Sequence, residues 1–155
     1  MSIPPYVSII WIFGIEMVAF LATNAYNRIM ELENVNDYLK INQKDETFSE
    51  LLLRFIRESG MDEVDFYKRA YIDRKFFSKI RSDRNYRPKK INVLALVLAL
   101  KLDSKTSKTL IKRAGYILTS GSEFDLVIRY CIENQIYDLY EVNKILDSKK
   151  LPIFK

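Results

Sequence analysis

Apolar residues recur along the chain three and four positions apart, the spacing of one face of an α-helix. The apolar runs are short, and Gly, Ser, Asp and Asn stand between them, which are residues that begin and end helices. No stretch alternates apolar and polar residues over the length of a strand, and no segment repeats. The pattern therefore predicts an all-α chain.

Helix boundaries in the middle of the chain can be read from capping residues. The sequence Thr47-Phe-Ser-Glu50 is a capping box, and Gly60 ends the helix that it opens. Asp62 and Asp73 can each cap a further helix. A turn-rich loop over 82–88 then leads into residues 91–100, INVLALVLAL, which are apolar on every side and so predict the central buried helix.

Three further helices are predicted after this central one. Asp103 or Ser104 caps the first, which Gly115 ends, Ser122 caps the second, and Asp138 begins the third, which runs through Leu146. The residues expected to face inward on the second are Phe124, Val127, Ile128 and Cys131. The sequence therefore predicts three parts of the chain. Residues 1–46 form a hydrophobic helix and an amphipathic helix, residues 47–117 form a helical module, and residues 118–155 form a helical pair that packs on this module.

The N-terminal part opens with an apolar run over 9–22 that only Glu16 interrupts. The run is shorter than the roughly 20 residues of a membrane span, a charge at its centre is costly in lipid, and no basic residue precedes it as in a signal peptide. We expect a helix facing protein, in this chain or a partner, with Trp11, Phe13 and Phe20 buried. The alternatives are a membrane anchor and a true start at Met17 or Met30.

An amphipathic helix is predicted over 24–42, before a polar hinge over 40–46. Its apolar face holds Tyr26, Ile29, Leu32, Val35 and Leu39. Because the hydrophobic N-terminal helix needs cover, a homodimer through it is a further expectation.

Composition narrows the function classes. The chain of 155 residues has no histidine and one cysteine, Cys131. These counts exclude Ser/His/Asp and Cys/His catalysis, an intrachain disulfide and a zinc site built from His and Cys. We therefore expect a protein that is not an enzyme and that has no cofactor or metal.

Positive charge is concentrated in one segment. The net charge is +5, yet residues 74–90 alone hold eight Lys and Arg and one Asp, a net charge of +7. The segments before it, over 1–46 and 47–73, are both net acidic. A basic block that follows acidic segments is typical of an anion-binding face, although such charges can also simply solvate a surface.

The segment 62–80 has the pattern of two helices joined by a short turn. Phe66 and Ala70 on the first helix, Ile72 in the turn, and Phe77 and Ile80 on the second have the spacing of inward-facing residues. The residues left facing outward are Arg74, Lys75, Ser78, Lys79 and Arg81.

Residues 62–80 read DEVDFYKRAYIDRKFFSKI, and Pro88 and the apolar helix 91–100 follow them. This pattern resembles the lambda-repressor-like (Cro/C1 or XRE-type) helix-turn-helix family over about residues 50–113. The stretch 47–155 also resembles a widespread group of uncharacterised bacterial proteins. The resemblance implies a lambda-repressor-like helix-turn-helix bundle with extra N- and C-terminal helices, acting as a cytoplasmic transcriptional regulator that binds DNA or another nucleic acid.

The family's binding mode assigns roles to the basic residues. It implies that the major groove receives Arg74, Lys75, Ser78 and Lys79. It implies that the phosphates are bound by Arg81, Arg84, Arg87, Lys89 and Lys90.

The chain departs from the family at four positions. Glu63 stands where the family often has Gln, and Tyr67 and Tyr71 stand where it prefers small residues, with Gly common at the second. Phe76 stands where the family usually exposes a polar base reader. With Tyr86, these aromatics either stack on unpaired bases or belong to the core. Glu63 and Tyr71 favour a second hypothesis, an interaction module on the helix-turn-helix scaffold that docks an acidic protein. The basic block favours nucleic-acid binding, and also a third hypothesis, a membrane-tethered helical protein with a cytoplasmic nucleic-acid-binding part.

Overall fold

The computed structural model describes residues 5–42 and 46–155, and the side chains of 14–39 and 46–155. Within these ranges every regular element is an α-helix, which confirms the all-α prediction. The helices are α1 (Pro5–Asn42), α2 (Phe48–Ser59), α3 (Glu63–Arg69), α4 (Arg74–Ser82), α5 (Lys90–Ala99), α6 (Ser104–Arg113), α7 (Glu123–Glu133) and α8 (Leu139–Ser148). The chain divides into two units, residues 1–45 and 46–155.

The first unit contains one continuous helix, so the prediction of separate helices over 9–22 and 24–42 is wrong. Nothing at the junction ends a helix: Thr23 turns its hydroxyl back to the Ala19 carbonyl at 2.8 Å. The predicted hinge includes residues 43–45, which lie outside the described residues. In the part of the chain that the structure describes, no helix has the length and apolar character of a membrane span.

Burial of the N-terminal run within the chain is not found where side chains are described. Phe20 is 66% exposed, so the prediction that it packs against protein is wrong for this chain by itself. Every described side chain of α1, from residue 14 to residue 39, is likewise exposed. Trp11 and Phe13 lie outside the described side chains.

The second unit follows the predicted caps. Thr47 accepts from the Glu50 amide and donates its own amide to the Glu50 carboxylate at 2.8 Å, which completes the capping box. Gly60 ends α2 with a φ of 67°, the left-handed conformation that glycine adopts without strain. Asp62 and Asp73 cap α3 and α4, each accepting a backbone N–H at 2.8 Å.

Helix α5 is the centre of the core, as predicted. Every residue from Val93 to Leu100 is buried, and the most exposed of them, Leu100, has only 7% of its surface exposed. Helices α3, α6 and α8 pack against α5, and α2 packs against α4 and α6. An apolar helix of this kind can only be stable when neighbours cover it on all sides.

The C-terminal helices pack against each other and on α5 and α6. Asp103, rather than Ser104, caps α6, and Ser122 and Asp138 cap α7 and α8 as predicted. Ile128 and Cys131 are buried, whereas Phe124 and Val127 are half-buried. Helix α8 continues to Ser148, beyond the predicted end at Leu146.

Candidate nucleic-acid interface

Helices α3 and α4 are joined by residues 70–73 and share a buried face. Phe66, Ala70, Phe77 and Ile80 are buried and Ile72 is half-buried, which confirms the predicted inward residues. The rings of Phe66 and Phe77 meet edge to face at 5.8 Å, so an aromatic contact fixes the second helix on the first.

The turn contains a residue in the left-handed conformation. Tyr71 has a φ of 54°. Its own amide donates to the Lys68 carbonyl at 3.0 Å, and the amide of Ile72 donates to the Tyr67 carbonyl at 2.9 Å. Tyrosine therefore adopts here the backbone that favours glycine, at a cost of about 1–2 kcal/mol. Tyr71 is 44% exposed.

The outer side of α4 carries exposed cations. Arg74, Lys75, Ser78 and Lys79 are all exposed, as predicted. Within residues 46–155, Arg74, Lys75 and Lys79 make no ion pair with a carboxylate. Arg81 differs, because its guanidinium donates to Glu63 across the helix pair at 3.2 Å.

The loop after α4 presents two more exposed cations on a fixed backbone. The Tyr86 amide donates to the Asp83 carbonyl at 3.1 Å, and the Tyr116 hydroxyl donates to the Pro88 carbonyl at 3.0 Å. Arg87 and Lys89, on either side of the buried Pro88, are exposed. Arg84 contacts the Glu50 carboxylate at 2.8 Å, and its bond is one reason why the pKa of Glu50, first lowered by the Thr47 amide, lies below its usual value.

Lys90 does not belong to the exposed set. Its ammonium donates to the Asp125 carboxylate at 2.6 Å, and the Asp125 side chain is only 2% exposed. Thr119 donates its amide and its hydroxyl to the same oxygen, at 2.9 and 3.1 Å. Burial by itself would raise the pKa of Asp125, but the bonds from Lys90 and Thr119 outweigh it and lower that pKa.

The aromatic residues near the basic face pack mostly against one another. Phe76 and Tyr86 meet edge to face at 5.7 Å, and Tyr67 lies 5.7 Å from Phe77. These three side chains are half-buried, which is the arrangement of core and rim residues. Tyr71 is the exposed aromatic of this group.

A second basic region, which the sequence analysis did not single out, lies beside the loop. Lys108, Lys112 and Arg129 line a cleft of about 270 Å³ with Tyr116, Ile117 and Leu118. The Arg129 guanidinium donates to the Leu118 carbonyl at 2.7 Å, while its Nε has no partner among the described residues. Because Tyr116 also holds Pro88, this cleft borders the loop that carries Arg87 and Lys89. The cations come from α6 and α7, so no local run of sequence marks them.

Over the described residues, no group of three or more Cys, Asp and Glu side chains is placed to hold a metal ion. Cys131 is buried, and burial raises the pKa of its thiol. Comparison with protein-family models, with curated proteins and with solved structures gave no match to this chain.

Proposed function

We propose that residues 47–117 are a lambda-repressor-like helix-turn-helix module that binds nucleic acid, DNA in the first place, and that the chain acts as a transcriptional regulator. The observation that carries the proposal is a set of five exposed cations that no carboxylate of the second unit neutralises. Three lie on α4 and two in the loop: Arg74, Lys75, Lys79, Arg87 and Lys89.

Unpaired cations matter because a cation already bonded to a carboxylate must lose that bond before it can bind a phosphate. Arg81 and Arg84 are therefore weaker candidates than the sequence implies, since Glu63 and Glu50 hold them. Lys90 is the weakest, because leaving Asp125 would strand a buried carboxylate. The proposed interface keeps the five unpaired cations and Ser78 on α4, with Arg81 and Arg84 at its rim.

The experiment is a mobility-shift titration of the full chain on random duplex and single-stranded DNA at several salt concentrations. With about five phosphates neutralised, log affinity should fall with log salt with a slope of roughly −4 to −5. Reversing Lys75 and Lys79 to Glu should weaken binding to every sequence and flatten the slope by about 2, with the helical signal unchanged.

The matched control reverses Lys149 and Lys150, two exposed lysines that follow α8, to Glu. Both double variants change the net charge equally, so a local interface predicts a loss for the α4 variant alone. Equal losses would mean that net charge, rather than this face, attracts the DNA. No binding by the unchanged chain even at low salt would refute the nucleic-acid proposal.

Two single substitutions test the contacts of this interface further. Arg74→Ala should cost about 1–3 kcal/mol of binding free energy on a preferred site only, if Arg74 reads a guanine; an equal loss on all sequences would make it a phosphate contact.

Glu63→Gln tests the charge of the face. It removes a carboxylate and releases Arg81, so it should tighten binding by about 2- to 5-fold, the size of a surface ion pair. Glu141→Gln, which removes the partner of Lys144 on α8, is its control.

A second candidate is an interaction module that docks an acidic protein. The observation that favours it is Glu63, a carboxylate at the start of the helix pair that would repel a phosphate backbone, while the exposed cations of α4 stay available to the carboxylates of a partner. The same Lys75 and Lys79 reversal would then abolish partner binding in a chain that never bound DNA. We also propose that the chain has no catalytic role, because it has no histidine and its one thiol is buried.

A further inference from the structure

The exposed helix α1 carries a seven-residue repeat. Counting from Ile15, residues alternately three and four apart form a stripe that we call the heptad stripe: Ile15, Val18, Ala22, Ala25, Ile29, Leu32, Asn36 and Leu39. All eight are exposed in the chain. A stripe with this period, kept over three and a half heptads of one continuous helix, is typical of the seam of a left-handed coiled coil.

We propose that two copies of the chain associate through the heptad stripe as a parallel two-stranded coiled coil. In heptad notation, Ile15, Ala22, Ile29 and Asn36 occupy a, and Val18, Ala25, Leu32 and Leu39 occupy d. Ile at a with Leu at d favours two strands over three or four. The paired alanines in the middle allow the two helices to approach closely there.

Asn36 is the one polar residue of the stripe. A single Asn at an a position specifies register and a two-stranded state, because its amide finds a partner only when it meets the Asn of a parallel, in-register copy. On a surface without an occupant, an Asn inside an apolar stripe has no such role. Its position therefore favours a second copy of this chain as the occupant.

Charge complementarity supports the same arrangement. Arg28 lies at a g position and Glu33 at the next e position, five residues on. In a parallel dimer g of one helix faces the following e′ of the other, so two Arg28–Glu33 pairs form across the seam. The two residues are too far apart in sequence to face each other on one helix, where pairs lie three or four apart.

A lipid surface is the competing occupant, since the first part of α1 is rich in apolar residues. The heptad stripe argues for protein, because its second half contains Asn36 and is bordered by the charged residues Arg28 and Glu33. These charges would lie at the depth of any lipid contact made by Leu32 and Leu39.

Sedimentation equilibrium of the full chain at about 50 μM tests the dimer by mass action. The expected result is a dimer for the unchanged chain and a monomer for Leu32→Asp, while Asn27→Asp, on the opposite side of the helix, stays dimeric. Asn36→Ile should still associate but should lose its single two-stranded state. A monomeric unchanged chain would overturn the proposal, as would a chain extracted only by detergent and monomeric in it.

Charge exchange tests the pairing itself. Arg28→Glu places two Glu–Glu contacts across the homodimer, and Glu33→Arg places two Arg–Arg contacts, so each variant alone should dissociate more readily. Mixing the two variants should restore the dimer, because both cross-contacts then join opposite charges. Failure of the mixture to recover would overturn the parallel register.

Orientation has its own readout in disulfide formation. Ala25→Cys and Leu32→Cys should each crosslink under mild oxidation, since every d residue meets its own copy in a parallel pair, whereas an antiparallel pair allows this at one layer at most. Asn27→Cys should not crosslink, and the unchanged chain is the blank because Cys131 is buried. The coiled coil does not rest on nucleic-acid binding, so the tests fail or succeed separately from the mobility shift.

Discussion

Replacing Lys90 by Met should destabilise the second unit more than any other single loss of a lysine charge. The substitution keeps the side-chain stem but removes the ammonium that lies 2.6 Å from Asp125, and it leaves a carboxylate that is 2% exposed with only the Thr119 donors. Breaking a fully buried ion pair costs about 3–5 kcal/mol. Because Thr119 remains and the Lys90 side chain is 31% exposed, we expect a smaller loss, about 1.5–3 kcal/mol.

Urea unfolding at neutral pH measures that loss directly, and Lys144→Met is the control because its pair with Glu141 is exposed. Asp125→Asn and the double variant complete a cycle in which the two losses should not add. A Lys90→Met chain as stable as the unchanged chain would refute the account of this pair.

The Lys90–Asp125 pair also predicts that the free energy of unfolding of the second unit falls at acid pH. Bonds from Lys90 and Thr119 lower the pKa of Asp125 in the folded chain, so the unfolded chain binds the proton more readily. The stabilisation is fully present above the unfolded pKa of about 3.9 and is lost as pH falls from there through the folded pKa. Asp125→Asn should lack this part of the acid loss, and an unchanged acid loss in that variant would contradict the pKa direction.

Three further substitutions test the fold. Leu96→Asp should unfold the second unit, since an unpaired buried charge costs several kcal/mol, on the order of the whole stability, whereas Ile117→Asp at a 65% exposed position should leave the melting curve unchanged. Tyr71→Gly should raise the free energy of unfolding by up to about 1 kcal/mol or leave it unchanged, and a clear loss would mean that the ring contributes more than the strain. Thr47→Ala should lower it by about 1 kcal/mol, with Thr109→Ala, inside α6, as the neutral comparison.

The helix caps and the core could be predicted because their causes are local. An Asp, Ser or Thr before an apolar run provides the first acceptor of a helix whatever surrounds it, as at Asp62, Asp73 and Ser122. The run 91–100 is apolar on all sides, so it has no stable position except the centre. Its uniformly apolar composition therefore placed α5 without knowledge of its neighbours.

The pairing of the cations could not be predicted in the same way. Lys90 and Asp125 are 35 positions apart, and Arg81 and Glu63 are 18 apart, so their contacts depend on how whole helices pack. Charge density alone treats these lysines and arginines as equal to Arg74 or Lys79. The continuous α1 was missed for the opposite reason: the change from apolar to polar composition near Thr23 suggested a boundary, although no residue there interrupts the backbone hydrogen bonds.

Two of the four departures from the pattern of the family that this module resembles, Glu63 and Phe76, have the same consequence. Glu63 engages Arg81, and Phe76 is engaged by Tyr86, so neither position presents a polar group to a base edge. What remains on α4 is one arginine, one serine and two lysines, and lysine meets phosphate as a point charge rather than as the bidentate fork that arginine offers to guanine. If the face binds DNA, its affinity should therefore come mainly from counterion release, with a small ratio of specific to non-specific affinity.

A second helix-turn-helix module, joined through the heptad stripe of a dimer, would then add affinity because the two modules are linked, rather than through base contacts. A chain of this design would gain selectivity chiefly from the spacing of two sites, which a set of duplexes with two binding segments at varied separation would reveal.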